Sequence, residues 1–252
     1  MFNKKSRILL MSLLCALVLL PAAVNAQTPE FTKQMDAYLN SDAGTEKIME
    51  ALNRHAQKKQ AQQQRAEGDQ VKENFKKYFS IGQSPVKGNK DAKIVIVEIS
   101  DFECPFCSRG ADIMAEVLKA YPKDVKLVFK NLPLGFHKNA KPAAIAALAA
   151  KEQGKFWEMH DLIFKNQREL SEEAFLEFAK TLKLNINKFV KDLNNPKLAK
   201  QVDDDAEMAS KLGVRGTPGF FVNGNFVSGA QPFEVFKSLI DEELAKTKGG
   251  KK

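Results

Sequence analysis

Cysteine is scarce in this sequence, with three residues in a chain of 252. So few cysteines cannot form a framework of several structural disulfides, which excludes the small disulfide-stabilised protein classes. A four-ligand zinc site would need a second cysteine pair or histidines at ligand spacing, and the sequence has neither. The three histidines are far apart, at His55, His137 and His160.

The sequence also lacks a stretch in which clustered basic residues are interleaved with aromatic ones. It carries 39 Lys and Arg against 31 Asp and Glu, but the basic side chains are spread among acidic ones. Because nucleic-acid binding depends on a concentrated basic surface, this pattern argues against a nucleic-acid partner.

Long hydrophobic runs are absent except for Ile8–Leu20, which follows three basic residues and precedes small residues that end at Ala26. This arrangement is typical of a secretory signal peptide, so we predict one at residues 1–26, and a retained anchor is the alternative. Cys15 follows Leu14, where a lipoprotein signal needs a small residue, so it is assigned to the leader. Removing the leader takes away three of the 39 basic side chains and leaves 36 against 31 acidic ones, a net charge of about +5.

Residues 27–80 are rich in Gln, Lys, Glu and Ala and contain no β-branched runs, which predicts helix. Ser41–Gly44 interrupts this pattern, and short heptad-like apolar seams lie on either side of it. Such narrow seams do not stabilise a lone helix in water, so we predict a stalk that associates with other copies of the chain. Between Asn53 and Gln70 the only apolar residues are alanines, which indicates an exposed helical connector or a solvated linker.

Residues 81–252 predict a compact α/β domain. A Gly-, Pro- and Asn-containing loop leads into a β-branched run that predicts a buried strand, followed by a helix and a second, parallel strand. A predominantly helical block then reads as an inserted subdomain, and Asn223–Gly224 is a tight-turn signal between two short strands. The predicted ranges are loop 81–91, strand 93–100, helix 104–120, strand 125–130, helical insert 139–212, strands 219–222 and 225–228, and helix 231–246.

Cys104 and Cys107 form a CxxC pair at the junction between the predicted buried strand and the helix that follows it. The amides and dipole of a helix N-terminus stabilise an anion, so we expect the pKa of Cys104 to fall below the ordinary value of about 8.5. Cys104 is then the nucleophile, and Cys107, one turn later, resolves the mixed disulfide. Pro105 suits an early helical position. A zinc site and a purely structural disulfide are the alternatives, although so small a loop would add little stability.

Three motifs together resemble the DsbA-like branch of the thioredoxin superfamily. They are FECPFC at 102–107, QGKFWEMHDLIF at 153–164 and GVRGTPGFFVNG at 213–224, and the resemblance covers roughly Pro85 to Leu244. It implies an α/β, thioredoxin-like fold with an inserted helical subdomain, and a thiol-disulfide oxidoreductase that needs no cofactor and no metal.

The same resemblance implies further site residues. Pro218 would form a cis peptide bond with Thr217 facing the CxxC pair, which exposes the Thr217 backbone to an extended substrate chain; an ordinary trans proline is the alternative. Glu98 matches the buried acid that relays the proton of Cys107, and burial would raise its pKa. Lys130 is a possible charge partner for Glu98, and an edge-exposed glutamate is the alternative.

Other residues of the motifs are less informative. Trp157 and His160 are assigned packing roles, and His137 follows the second predicted strand in a loop that the sequence cannot place. Phe106 stands between the cysteines where strongly oxidising members of the family carry His. A neutral side chain cannot stabilise the thiolate by charge, so we predict a less oxidising pair than in those members.

The predicted stalk resembles the oligomerising stalks of bacterial disulfide isomerases and of the suppressor-of-copper-sensitivity protein C type. We therefore expect a periplasmic homo-oligomer, formed through residues 27–80, that reshuffles wrong disulfides in misfolded exported proteins. A membrane-bound redox partner would keep it reduced, and Thr217 before the proline fits isomerase-like members. The alternatives are a dithiol oxidase that introduces disulfides into reduced exported proteins, and a Cu(I)-binding thiol protein of copper tolerance.

Overall fold

The computed structural model describes residues 29–249, which form two compact units with a boundary between Gln63 and Gln64. The predicted signal peptide at residues 1–26 lies outside the described residues. Within residues 29–249, no helix has both the length and the hydrophobicity that a membrane span requires.

The first unit is helical, as predicted, with α1 at Pro29–Leu39 and α2 beginning at Asp42 and ending at Tyr78. The break between them arises at Ser41, whose hydroxyl accepts a hydrogen bond from Gly44 N at 3.1 Å and so caps the start of α2. Residues 45–63 of α2 are exposed helix, which agrees with an exposed helical connector.

The second unit begins at Gln64, within α2. The reason is that the last turns of α2 pack on the sheet: Phe75 stacks on Phe79 at 4.5 Å and on Phe221 at 5.0 Å between ring centroids. Val71 and Tyr78 join the same apolar cluster. The final part of α2 therefore belongs to the core of the second unit.

A five-stranded sheet in the order β1-β3-β2-β4-β5 forms the centre of this unit. Strands β2 and β3 are parallel, as predicted, and β1, β4 and β5 are antiparallel to their neighbours. The sequence missed β1 because three residues between Pro85 and the turn at Asn89 carry no periodic signal. The strands are β1 (Val86–Gly88), β2 (Ile94–Ser100), β3 (Val125–Asn131), β4 (Gly219–Val222) and β5 (Asn225–Ser228).

Helices cover both faces of the sheet, and an α-helical insert separates β3 from β4, as the sequence predicted. Ser171 caps the start of helix α6 (Glu172–Thr181), and its hydroxyl accepts a hydrogen bond from Ala174 N at 3.2 Å. Helix α9 (Phe233–Gly249) packs against helix α3 (Pro105–Ala120). The helices are α3 (Pro105–Ala120), α4 (Ala140–Lys151), α5 (Phe156–Lys165), a 3₁₀ turn (Gln167–Glu169), α6 (Glu172–Thr181), α7 (Ile186–Leu193), α8 (Pro196–Lys211) and α9 (Phe233–Gly249).

The alternation of side chains along β2 divides its residues between two cores. Ile94 and Ile96 are buried in a cluster with residues of α3 and α9, and Val97 and Ile99 are buried in a cluster with the end of α8. Glu98 follows Ile96 on the same face of the sheet. A carboxyl group thus occupies a position of the apolar core.

Lys130 does not pair with Glu98, and that prediction is wrong. Register places Glu98 beside Phe129 and Ile99 beside Lys130, so alternation puts Lys130 on the opposite face of the sheet. There its buried ammonium group donates to Asp205 Oδ1 at 3.0 Å.

Replacing Asp205 should strongly destabilise the fold. Its second carboxylate oxygen accepts from the backbone and side-chain nitrogens of Asn131, at 3.1 and 2.9 Å. Asp205→Ala leaves these donors and a buried ammonium unpaired, so we expect the free energy of unfolding to fall by about 3–5 kcal/mol in urea denaturation. The control is Asp203→Ala, which breaks a more exposed pair with Lys141 and should cost less than about 1 kcal/mol. Equal losses for the two variants would contradict this assignment.

Candidate active site

The CxxC pair lies at the junction between β2 and α3. Cys104 is the N-cap of α3 with extended backbone angles, and Pro105 occupies the first helical position, where a missing amide proton is tolerated. The first turn closes through Cys107 N, which donates to Cys104 O at 2.9 Å. The sequence therefore places both thiols in the first turn of one helix.

The two thiols have different surroundings. Both are free, but Cys104 is 5 % exposed whereas Cys107 is fully buried. Cys104 Sγ lies 3.5 Å from Thr217 O, and Cys107 Sγ accepts a hydrogen bond from Asp101 N at 3.4 Å. Cys104 is thus the thiol nearer to the surface, and Cys107 lies behind it.

These surroundings separate the pKa values of the two thiols. The Cys107 thiol donates a hydrogen bond that, with smaller contributions from Thr217 and from the amides of Phe106 and Cys107, lowers the pKa of Cys104 to about 5. Burial opposes this shift in Cys104 and raises the pKa of Cys107 far above its ordinary value. At neutral pH Cys104 is therefore a thiolate while Cys107 keeps its proton.

The loop before β4 faces this pair. The Thr217–Pro218 peptide bond is cis, and the Thr217 carbonyl is the group that Cys104 contacts. Gly110 on α3 lets the helix approach: a Cβ there would lie 3.1 Å from the Phe220 ring and 3.4 Å from Pro218 Cγ. A side chain at position 110 would press the helix away from the cis-proline loop.

Glu98 is fully buried, so the alternative of an edge-exposed glutamate is wrong. Neither of its carboxyl oxygens has a hydrogen-bond partner among residues 29–249. Burial raises its pKa to about 7, and the Ser100 hydroxyl and the Lys87 ammonium offset this only in part. Ser100 follows Glu98 on the same face of β2, and its hydroxyl also lowers the pKa of Cys107. Glu98 can therefore exchange a proton near neutral pH.

A cavity of about 540 Å³ lies beside Glu98, between α3 and α5. His160 also lines it; its Nδ1 is 2.7 Å from Asp161 Oδ1, and its buried Nε2 has no partner in the described part of the chain. Burial lowers the pKa of His160. Trp157 packs against the His160 ring and donates to Val86 O at 3.2 Å. Both side chains make packing contacts, and His160 adds a polar atom to the cavity wall.

Asp101 was not identified from the sequence. Its buried carboxylate accepts from Glu103 N at 2.7 Å and from Leu134 N at 2.8 Å, and it lies 2.8 Å from His137 Nδ1. His137 is therefore held beside the site through Asp101. The contact with Glu103 N is a local Asx turn, which the spacing of these residues could have indicated. The other two contacts join distant segments and leave no local signal.

Gln167 was also not identified. It belongs to the helical insert, and its Nε2 donates to Phe102 O at 2.7 Å and to Cys104 O at 3.0 Å.

Phe106, between the cysteines, is 56 % exposed, and the Arg109 guanidinium lies 5.1 Å from its ring centroid. In residues 29–249, no three His, Cys, Asp or Glu side chains form a cluster that could hold a metal ion.

Comparison with known proteins gives three kinds of match: a family model, sequence relatives and solved structures. A protein-family model described as Thioredoxin matches residues 80–242. The Na(+)/H(+) antiporter NhaA 3 of Salinispora tropica is 38 % identical over 161 residues, which are 64 % of this chain and 24 % of that protein. The chain thus spans about a quarter of the length of the curated relatives it matches, and resembles only a part of the antiporter.

Solved structures share the fold. The thiol-disulfide exchange protein alpha-DsbA2 from Wolbachia pipientis matches with a TM-score of 0.65 and 21 % identity, over 70 % of this chain and 97 % of that one. ScsC from Proteus mirabilis, in a transitional conformation, matches with a TM-score of 0.61 and 24 % identity, over 82 % of this chain and 100 % of that one. At these identities the likeness establishes the fold.

Alkylation should distinguish the two thiols. Only the thiolate reacts readily, so the rate of Cys104 alkylation by iodoacetamide should rise with pH, with a midpoint near 5, and be flat above about pH 7. Mass spectrometry of quenched samples between pH 3 and 9 measures this rate. In Cys104→Ser, the buried and protonated Cys107 should remain unmodified at neutral pH. A midpoint near 8.5 would show that Cys104 is an ordinary thiol.

Glu98 should make the stability of the fold depend on pH. Its pKa rises from 4.5 to about 7 on folding, so between these values the native state keeps a proton that the unfolded state has lost. Stability therefore falls as pH rises through this window, by about 3 kcal/mol once pH exceeds 7. Glu98→Gln should not show this loss, so its stability relative to the parent chain should increase between pH 4.5 and 8 in urea denaturation of the reduced proteins. A difference that does not change with pH would contradict the assignment.

Proposed function

This chain belongs to the thioredoxin family, and from that premise we propose that it is a thiol-disulfide oxidoreductase of protein disulfides, most specifically an exported, oligomeric disulfide isomerase. The observation that carries the proposal is the opposite perturbation of two thiols in one helical turn. Cys104 is ionised and adjacent to the surface, while Cys107 is buried and protonated. In such a pair one sulfur attacks the substrate disulfide, and the other can later resolve the mixed disulfide.

The reaction begins with the Cys104 thiolate. It attacks one sulfur of a substrate disulfide, a mixed disulfide forms, and the other substrate sulfur leaves as a thiolate that takes a proton from solvent. In isomerisation, a second substrate thiolate attacks the mixed disulfide and releases Cys104 as a thiolate. This route changes the pairing of the substrate and leaves the oxidation state of the enzyme unchanged.

Cys107 provides the second route. When the substrate does not resolve the mixed disulfide, Cys107 loses its proton and attacks Cys104 Sγ, which forms the Cys104–Cys107 disulfide and releases a reduced substrate. Glu98 is the proposed proton acceptor, because it shares the neighbourhood of Ser100 with Cys107 and its pKa of about 7 suits exchange at neutral pH. The cavity beside Glu98 gives that proton a way to solvent.

The cis-proline loop is the proposed substrate platform. The Thr217 carbonyl lies 3.5 Å from Cys104 Sγ, so the backbone of this residue borders the reacting sulfur. An extended substrate chain can pair with that backbone in the manner of an added strand. This recognition uses main-chain atoms, which suits an enzyme that accepts substrates of unrelated sequence.

The stalk is the proposed oligomerisation element. Tyr38, Ile48, Met49 and Leu52 are 39–57 % exposed in the first unit, which leaves apolar side chains without cover within one chain. A second copy of the same helices would cover them. Several active sites around a shared space would let the enzyme engage one misfolded substrate repeatedly.

Export and partners complete the proposal. The leader predicted at residues 1–26 would deliver the chain to the periplasm, where its substrates are misfolded or reduced exported proteins. A membrane-bound redox partner would keep the pair reduced. The exposed Phe106 supplies no charge to the thiolate, which is consistent with a pair that is less oxidising than one with His in that position.

A dithiol oxidase is the second candidate, and one observation favours it. A pKa near 5 for Cys104 stabilises the reduced form relative to the disulfide, which makes the disulfide a better oxidant. In that case the Cys104–Cys107 disulfide would pass to reduced substrates, and a membrane-bound partner would reoxidise the pair.

Recovery of activity from a scrambled multi-disulfide substrate tests the direction. In the full chain without its leader, Met49→Glu with Leu52→Glu places charges on the exposed apolar stalk, so we expect dissociation in light scattering and at least a tenfold loss of recovery. Gln57→Glu with Gln60→Glu adds the same charge at exposed polar positions and should change neither quantity. Unchanged recovery by the dissociated variant would refute stalk-dependent isomerisation. Rapid oxidation of a reduced substrate without recovery, by every variant, would establish the oxidase.

A further inference from the structure

One side chain of the helical insert reaches the backbone of the CxxC turn. Gln167, the first residue of the 3₁₀ turn after α5, donates from Nε2 to Phe102 O at 2.7 Å and to Cys104 O at 3.0 Å. Both partners are carbonyl oxygens, which only accept hydrogen bonds, so the amide nitrogen must face them and use one proton for each. The contact spans more than sixty residues of sequence and holds both ends of a three-residue segment.

The insert keeps Gln167 in place. Phe164, on the last turn of α5, packs against Phe102 with 5.0 Å between ring centroids. Asn166 caps the end of α5 by donating from Nδ2 to Leu162 O at 2.7 Å, and Leu170 is buried in the insert core. The chain is therefore anchored on both sides of Gln167, and its side chain projects from a packed segment.

The carbonyl groups that Gln167 holds determine where the nucleophile sits. Cys104 O also accepts from Cys107 N at 2.9 Å and from Ser108 N at 3.3 Å, so it is part of the first turn of α3. The backbone of Cys104 is extended, and Sγ lies 3.5 Å from Thr217 O. The anion is stabilised by the Cys107 thiol, the Thr217 side chain and the first amides of α3, so a rotation of the segment that precedes the helix would move Sγ away from them.

We propose that Gln167 is a positioning residue for Cys104: its amide holds the carbonyl groups of Phe102 and Cys104 so that Cys104 Sγ stays at the N-terminus of α3 and beside Thr217. The inference rests on the proposed role of Cys104 as nucleophile. The helical insert is then a part of the catalytic machinery, because it supplies the group that sets the geometry of the reacting turn. Loss of that group should weaken every contact to the thiolate at once.

The test replaces Gln167 with Met, which keeps its length and removes both donors. The midpoint of the pH profile of Cys104 alkylation should rise by about one pH unit, so that at pH 4 the variant reacts about tenfold more slowly than the parent chain. The matched control is Gln153→Met. Gln153 also lies in the insert and holds backbone atoms, since Nε2 donates to Asn185 O at 3.2 Å and Oε1 accepts from Asn185 N at 2.8 Å. That variant should keep the midpoint of the parent chain.

Two outcomes would overturn the proposal: an unchanged midpoint in Gln167→Met, or equal shifts in both variants, which would indicate general loosening. A parent midpoint near 8.5 would refute the proposed nucleophile instead, and the difference between parent and variant would still test Gln167. Should Gln167→Met fail to fold, nuclear magnetic resonance of the parent chain decides the question. The side-chain amide signals of Gln167 should titrate with the Cys104 midpoint while those of Gln153 do not, and a flat titration of Gln167 would overturn the proposal.

Discussion

The structure depends on a difference in solvation between two sulfur atoms one helical turn apart. Burial destabilises the charged form of any thiol, and it is the main cause of the raised pKa of Cys107. The Cys104 pKa is lowered despite partial burial, because Cys104 caps the helix and receives hydrogen bonds from the Cys107 thiol, the Thr217 side chain and the amides of Phe106 and Cys107. The pair is therefore polarised by its own geometry. The proton that Cys107 keeps is also the proton that stabilises Cys104 as an anion.

Distant parts of the chain maintain this geometry. The buried Asp101 precedes the first cysteine, and its carboxylate binds Leu134 N and His137, so it connects the CxxC segment with the loop that follows β3. The insert reaches the same turn from the other side through Gln167. Gly110 lets α3 lie against the cis-proline loop. A four-residue motif thus functions only within a frame built from three separate segments.

Features with a local signal could be predicted from the sequence: the CxxC junction, the parallel strands, the hairpin at Asn223–Gly224 and the limits of the insert. Features set by register or by long-range contact could not. Only the β2–β3 register shows that Lys130 and Glu98 lie on opposite faces of the sheet, because a shift of one residue would turn every side chain of a strand to the other face. Phe75 lies in a charged helical segment, which concealed its contact with Phe221. Gln167 makes a contact between segments that share no sequence pattern.

The proximity of a protonated thiol to an ionised one also bears on oxidative damage. A thiolate such as Cys104 reacts with peroxides, and the first product is a sulfenic acid. Cys107, one turn away, can attack that sulfur, release water and form the Cys104–Cys107 disulfide. The sulfur of Cys104 is then in the same disulfide state that it reaches during turnover with a disulfide substrate, and oxidation stops before the irreversible sulfinic acid forms. The arrangement that makes Cys104 reactive therefore also protects it.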